Sequence, residues 1–297
     1  MVHMEQGDQW EQGNQWRSLP VEEEASVALQ LAAGDALLAG LATTHQPALR
    51  WYRTPTTALV LGRGQNVQEV DHAACHAAGI AVHRRSSGGT AVLLEPDLLM
   101  LDVALPAAHP LHLPDVTESY RWFGEVWATA LRMLGLPAVP LAPADARTDG
   151  RSLDRLTRRV CFGGFSPYEV MLHGRKIVGL SQVRRRDGAL LQAGLALHRP
   201  SLRLVSLLAL SPDERATLMD RFRHRTTGLN DGHTESSPGH PLTFEQVMTA
   251  FAAALRDHPH GTPALVPTGW SRAEQAARLR ATDQYAPIQN VPGAASS

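Results

Sequence analysis

Residues 161–182 read CFGGFSPYEVMLHGRKIVGLSQ. Two runs suited to strands, YEVML (168–172) and RKIVGLSQ (175–182), flank the pair His173-Gly174. Two short β-type runs separated by two turn-forming residues predict a β-hairpin with a two-residue turn, and its strands must pair antiparallel. Working outward, ALRWYR (48–53), TALVLG (57–62), IAVHRR (80–85), TAVLL (90–94), LLMLDVAL (98–105) and ALLQAGLAL (189–197) read as further strands. Helical spacing of apolar residues appears over 23–41, with a kink expected at Gly34, over 68–78, stopped by Gly79, and over 119–134 behind Asp115 and Glu118. Ser211-Pro212-Asp213-Glu214 and Thr243-x-x-Gln246 open two more helices with capping boxes, and 271–282 holds a weak one. Strands and helices mix without regular βαβ alternation. The class expected is α+β, a largely antiparallel sheet flanked by helices. Residues 1–22 are polar and predict a disordered N-terminal tail. Residues 23–258 form one domain, with a mobile loop at 142–159 and a linker at 228–241. Residues 259–297 predict a poorly structured C-terminal tail.

The chain has 297 residues and a net charge of -1. Near-neutral charge gives no electrostatic footprint for nucleic acid or an anionic membrane. No run approaches the roughly 18 apolar residues of a membrane span, and the polar N-terminus is unlike a signal peptide. Two cysteines cannot build a disulfide framework, and the cytoplasm is the expected location; a monomer is the expected state. One feature of composition is sharper. Of the 28 basic residues only Lys176 is a lysine. Arginine is a planar fork that stays charged; lysine is a compact charge whose pKa moves readily.

That lysine lies on the second strand of the hairpin, 15 positions after Cys161. A nearby ammonium favours the thiolate, so a lysine facing a cysteine makes a nucleophile. A lone cysteine is more often a small buried hydrophobe, and both readings stand at this point. RRSSGGTAV (84–92) is the other candidate. Its glycines let backbone N–H groups approach an anion or acyl carbonyl, and Arg84 and Arg85 suit an anion or an acidic partner. The same string also fits a plain turn between strands. His72, Cys75 and His76 share a helix but lack a further ligand, so a helix surface is expected there and no metal. Arg184-Arg185-Arg186 reads as a solvated strand end or a dock for an acidic protein.

GRGQN (62–66), RRSSGGTAV (84–92) and GRKIVGLSQ (174–182) follow one another in the order and spacing of the lipoate–protein ligase and octanoyltransferase family, over roughly 25–205. The resemblance implies the biotin/lipoate protein ligase catalytic fold, with Lys176 at the acyl site. Cys161-Phe162, then Ser166-Pro167-Tyr168-Glu169, then Gly174-Arg175-Lys176 resembles the cysteine-dependent branch. That branch implies transfer of an octanoyl or lipoyl group from acyl carrier protein to a lipoyl-domain lysine through a Cys161 thioester; a related branch that moves octanoyl between lipoyl domains resembles the chain too, in SGGTAVLL (87–94) and GLSQVRRR (179–186). The acceptors implied are glycine cleavage H protein or 2-oxoacid dehydrogenase E2. Arg84, Arg85, Ser87, Gly88, Gly89, Thr90, Ala91, Gly179, Ser181 and Gln182 are the implied substrate-binding residues. No cofactor is implied, unless the chain is instead a ligase that uses ATP and Mg. A non-catalytic relative that only binds carrier or lipoyl domains is the third reading. The sequence departs from the family at Thr90, Leu94-Glu95, Asp97-Leu98 and Gly163-Gly164, which bears on acyl-group choice.

Overall fold

The computed structural model describes residues 15–231, 240–260 and 264–288. Eight strands form one sheet in the order β11-β1-β2-β6-β10-β9-β8-β7. They are β1 (Gln15–Ser18), β2 (Ala48–Tyr52), β6 (Leu98–Pro106), β7 (Ala138–Pro140), β8 (Val170–Leu172), β9 (Arg175–Arg185), β10 (Gly188–Ala196) and β11 (Ala264–Pro267). Every pairing from β2 to β7 is antiparallel, whereas β1 pairs parallel with both β2 and β11. A second sheet, in the order β4-β3-β5, holds β3 (Ala58–Leu61), β4 (Ala81–Arg84) and β5 (Val92–Leu94). The expected α+β class, largely antiparallel, is the observed one.

Helices cover the sheets. Helix α1 (Val27–Thr44) runs unbroken through Gly34, which is not a kink. A Cβ there would lie 3.1 Å from Leu190 Cδ2, so the glycine lets the helix close onto the sheet. Length and composition would let α1 cross a membrane, but Ala32, Ala33, Ala36, Leu37 and Leu41 are buried within the fold. The expected 68–78 helix is split. A 3-10 turn (Val67–Glu69) precedes Val70, which bridges to Leu208, and Asp71 then caps α2 (His72–Ala77). Helix α3 (Arg121–Met133) packs on the large sheet. The expected mobile loop at 142–159 instead contains α4 (Pro143–Ser152), which buries only Ala146 and is tied down by the Asp149–Arg225 ion pair. Helices α5 (Arg203–Ser206), α6 (Pro212–Arg225), α7 (Phe244–Asp257) and α8 (Arg272–Thr282) follow.

The two tails need correcting where the structure describes them. Trp16 and Leu19 are fully buried beside β2, so residues 15–22 belong to the fold. At the other end, α8 packs on α1 and is tied to the N-terminal segment by two ion pairs, a buried one to β1, Arg17–Glu274 at 2.7 Å, and a partly buried one ahead of α1, Arg278–Glu22 at 2.7 Å. Such docking leaves no apolar stripe to read in sequence. Residues 1–14, 232–239 of the expected linker, 261–263 and 289–297 lie outside the described residues.

Two cores result. Helices α3 and α7 cover the large sheet with edge-to-face aromatics, among them Trp51–Trp127 and Trp51–Phe251. The small sheet packs with α2, α5 and α6 in a separate cluster that contains Cys75 and borders Cys161.

Candidate functional site

A cavity of about 370 Å3 lies between the small sheet and strands β6, β9 and β10. Leu31, Val60, Val92, Leu94, Leu98 and Met100 make its apolar wall. Arg85, Cys161, Glu169 and Lys176 line the cavity too.

The hairpin places the lysine. His173 and Gly174 both have positive φ, 49° and 74°, which is the backbone a two-residue turn demands. In the β8–β9 ladder Val170 faces Val178 while Met171 faces Lys176, so Ile177 is a bulged extra residue. Ile177 and Val178 both enter the aromatic core, while Lys176, Gly179, Leu180 and Ser181 line the cavity.

Lys176 is 1% exposed. Its Nζ lies 2.7 Å from Glu169 Oε2 and donates to the Cys161 carbonyl at 3.1 Å. Glu169 is also buried, and accepts from the Ser166 N–H at 2.7 Å and the Leu180 N–H at 3.3 Å. A buried ammonium needs such a partner, since removing one member of a buried pair costs about 3–5 kcal/mol. Two of the three ammonium protons are thereby used. In the sequence Glu169 is only the last residue of the SPYE run, with nothing local to mark it as the partner of Lys176. Tyr168, at φ 65°, occupies the left-handed region that a bulky residue rarely adopts, and this bend precedes Glu169.

Cys161 is half-buried, unlike Cys75. Its N–H donates to the Ala91 carbonyl at 2.8 Å, and Val160 bridges to Ala91, so the cysteine loop hangs on the chain entering β5. Arg225 holds the next turns of that loop. Its guanidinium takes the Asp149 carboxylate at 2.6 and 2.7 Å, stacks on Phe165 at 3.8 Å and donates to the Gly163 carbonyl.

The other expected residues divide clearly. Arg85 reaches the Gly88 carbonyl at 2.8 Å and the Thr90 carbonyl at 3.0 Å, bracing the glycine-rich loop while lining the cavity. Burial works against its charge; the acidic groups of Cys161 and Tyr52 nearby favour it. Gly88, Gly89, Thr90, Gly179 and Ser181 line the cavity as well. Arg84 does not line it. It donates to the carbonyls of Gly62, Arg63 and Gln65 and holds the GRGQN turn. Ser87 is buried with its Oγ unpartnered, and Ala91 is buried under Cys161; neither is among the residues lining the cavity. Gln182 also lies off the cavity, donating to the Val116 carbonyl at 2.8 Å, because the bulge sets Gly179 and Ser181 inward. Arg184 is spent on the Leu113 and Pro114 carbonyls, while Arg185 and Arg186 are exposed. His72 bonds the Val67 carbonyl and Cys75 is core; among the described residues no three metal-ligating side chains converge.

Residues 26–256 match the family described as the lipoyl protein ligase A/B catalytic domain. The chain belongs to that family. Among relatives of this lipoyl protein ligase A/B domain, an octanoyltransferase LipM of Exiguobacterium sp. is 31% identical over 250 residues, 82% of this chain and 87% of its own. An octanoyltransferase LipM of Bacillus subtilis is 30% identical over 211 residues, 70% of this chain and 75% of its own. The fold matches that of an archaeal bi-partite lipoate protein ligase, described with its E2 lipoyl domain, from Thermoplasma acidophilum. Its TM-score is 0.72 at 21% identity, covering 91% of this chain and 92% of that one. A lipoate-protein ligase A bound with ATP superposes at a TM-score of 0.69 and 21% identity, over 91% of this chain and 95% of that one. The expected lipoate-ligase fold is therefore the observed one.

Proposed function

We propose that this chain is an octanoyltransferase of protein lipoylation. Octanoyl-acyl carrier protein is the donor, a thioester on Cys161 the intermediate, and the target lysine of a lipoyl domain the acceptor. The observation that carries the reading is that half-buried Cys161 and buried Lys176 stand on the wall of one apolar cavity. Relatives about 30% identical over most of the chain carry the octanoyltransferase name.

The geometry suits the chemistry. Cavities of about 300–1,000 Å3 are the usual size for small ligands. Burying the six methylenes and the methyl of an octanoyl chain contributes roughly 5 kcal/mol. The Cys161 thiolate attacks the donor carbonyl, a new C–S bond forms, and the carrier's C–S bond breaks to release its thiolate, which takes a proton from water. The acceptor amine then attacks the Cys161 thioester, forming the amide and freeing the cysteine. The remaining Lys176 proton and the backbone N–H groups of Gly88 and Gly89 are the donors available to the developing oxyanion. Arg85 supplies positive charge on the thiol side. A thioester is already activated, so neither ATP nor a metal enters. Glycine cleavage H protein and 2-oxoacid dehydrogenase E2 are the acceptors proposed, in the cytoplasm.

The test supplies an apo lipoyl domain with octanoyl-acyl carrier protein and no ATP, and in parallel with octanoate, ATP and Mg. Octanoylation in the first reaction alone is expected. Product in the second alone would overturn the reading in favour of a ligase.

A further inference from the structure

We propose that the C-terminal turn at 283–288, beyond the family match at 26–256, positions the glycine-rich loop of the acyl cavity through Asp35 and Ser86. The Tyr285 hydroxyl donates to Asp35 Oδ2, and the Ser86 hydroxyl donates to Asp35 Oδ1 at 2.8 Å. One carboxylate on α1 thus ties the end of the chain to the first residue of the SSGG turn. Burial, reinforced by Asp35, holds the Tyr285 hydroxyl well above the usual phenol range, so it is a permanent donor.

The same turn holds the strand that leads into the loop. The Tyr285 carbonyl accepts from His83 Nδ1 at 2.7 Å, which fixes the proton of that buried ring on Nδ1. The Ile288 N–H donates to the Val82 carbonyl at 2.7 Å, on the edge of β4 that has no strand beside it among the described residues. Edge strands are the loosest part of a sheet, and a Gly-Gly turn has the most conformational freedom to lose. Arg85 braces the far half of the loop, at Gly88 and Thr90, and the Arg63 N–H holds the Ser87 carbonyl at 3.0 Å. Ser86 is anchored by Asp35. Asp35 and Tyr285 are positioning residues: neither lines the cavity, yet Asp35 fixes Ser86, two residues before Gly88, and Tyr285 fixes Asp35 and His83, while Gly88 and Gly89 line the cavity.

The kinetic arm rests on the octanoyltransferase reading; the exchange arm does not. Amide hydrogen exchange is compared between wild type, Tyr285→Phe and a chain ending at Thr282, which keeps α8 and its ion pairs. Losing one hydrogen bond is expected to speed exchange at 86–90 about tenfold, with β6 and β10 as protected as before. kcat with octanoyl-acyl carrier protein falls by a similar factor, while KM for the lipoyl domain holds. Unchanged exchange at 86–90 in both variants would overturn the proposal. So would exchange that rises by one factor across the whole domain, the mark of a merely structural role. A wild type that transfers no octanoyl group would sink the proposed function, and the exchange comparison would still decide this one.

Discussion

The two cysteines border one apolar cluster around the small sheet, yet their surroundings are opposite. Cys75 is 2% exposed on α2, and burial, with Asp71 adding to it, pushes its thiol up to about 11. Cys161 is half-buried and opens into the cavity, with the Lys176 ammonium on its own carbonyl and Arg85 close by. A thiol covered on every side by hydrocarbon stays protonated and inert. One opened toward a cavity with two cations around it is placed to react. Surroundings, not residue type, separate a core cysteine from a candidate nucleophile.

The sharpest way to break that contrast is to remove each sulfur in turn. Cys161→Ser should lower the transfer rate by about 10^4-fold or more, as loss of a covalent nucleophile does. Cys75→Ala should leave the rate unchanged and cost about 1–2 kcal/mol in a urea titration. Comparable rate losses in both variants would erase the distinction. Lys176→Arg should follow, slowing kcat by about 10^2–10^3-fold, because a planar fork cannot reproduce the compact contacts to Glu169 and the Cys161 carbonyl. A rate near wild type would remove the lysine from the reaction. Glu169→Ala leaves a buried ammonium unpaired, at a cost of about 3–5 kcal/mol and a Tm lower by ~6–15 °C. An unchanged Tm would mean the pair does not hold the site.

The smallest effect is read by alkylation. Iodoacetamide near pH 8 should label Cys161 and spare Cys75 in the folded chain. The pH dependence carries a definite sign. Cys75 titrates higher folded, about 11, than at its ordinary 9.0, so its protonated form stabilises the fold fully below pH 9. That contribution is lost as pH rises from 9 toward 11, and Cys75→Ala should flatten the loss.

The hairpin that sets the site was readable because its turn chemistry is local: His173 and Gly174 have the positive φ expected of a two-residue turn. The bulge at Ile177 was not. Strict alternation from Lys176 would put 176, 178, 180 and 182 on one face; with one extra residue Val178 enters the core, Gly179 and Ser181 join Leu180 at the cavity, and Gln182 lies off it. Glu169 reaches Lys176 through a positive φ at Tyr168, a position where sequence offers no glycine as a signal. The C-terminal contribution was hidden for a different reason. Arg17 and Glu274 are 257 residues apart, and Asp35 and Tyr285 are 250 apart. Polar pairs at such separations leave no periodic trace, so α8 and the 283–288 turn look like tail.

The central claim is that Cys161 carries the acyl group. Intact mass after incubation with octanoyl-acyl carrier protein, without ATP, tests it most directly in wild type and Cys161→Ser. The account predicts one octanoyl adduct on the wild type, discharged by hydroxylamine as a thioester is, and none on the variant. An adduct of the same stoichiometry on Cys161→Ser, or none on a wild type that still octanoylates a lipoyl domain, would contradict it.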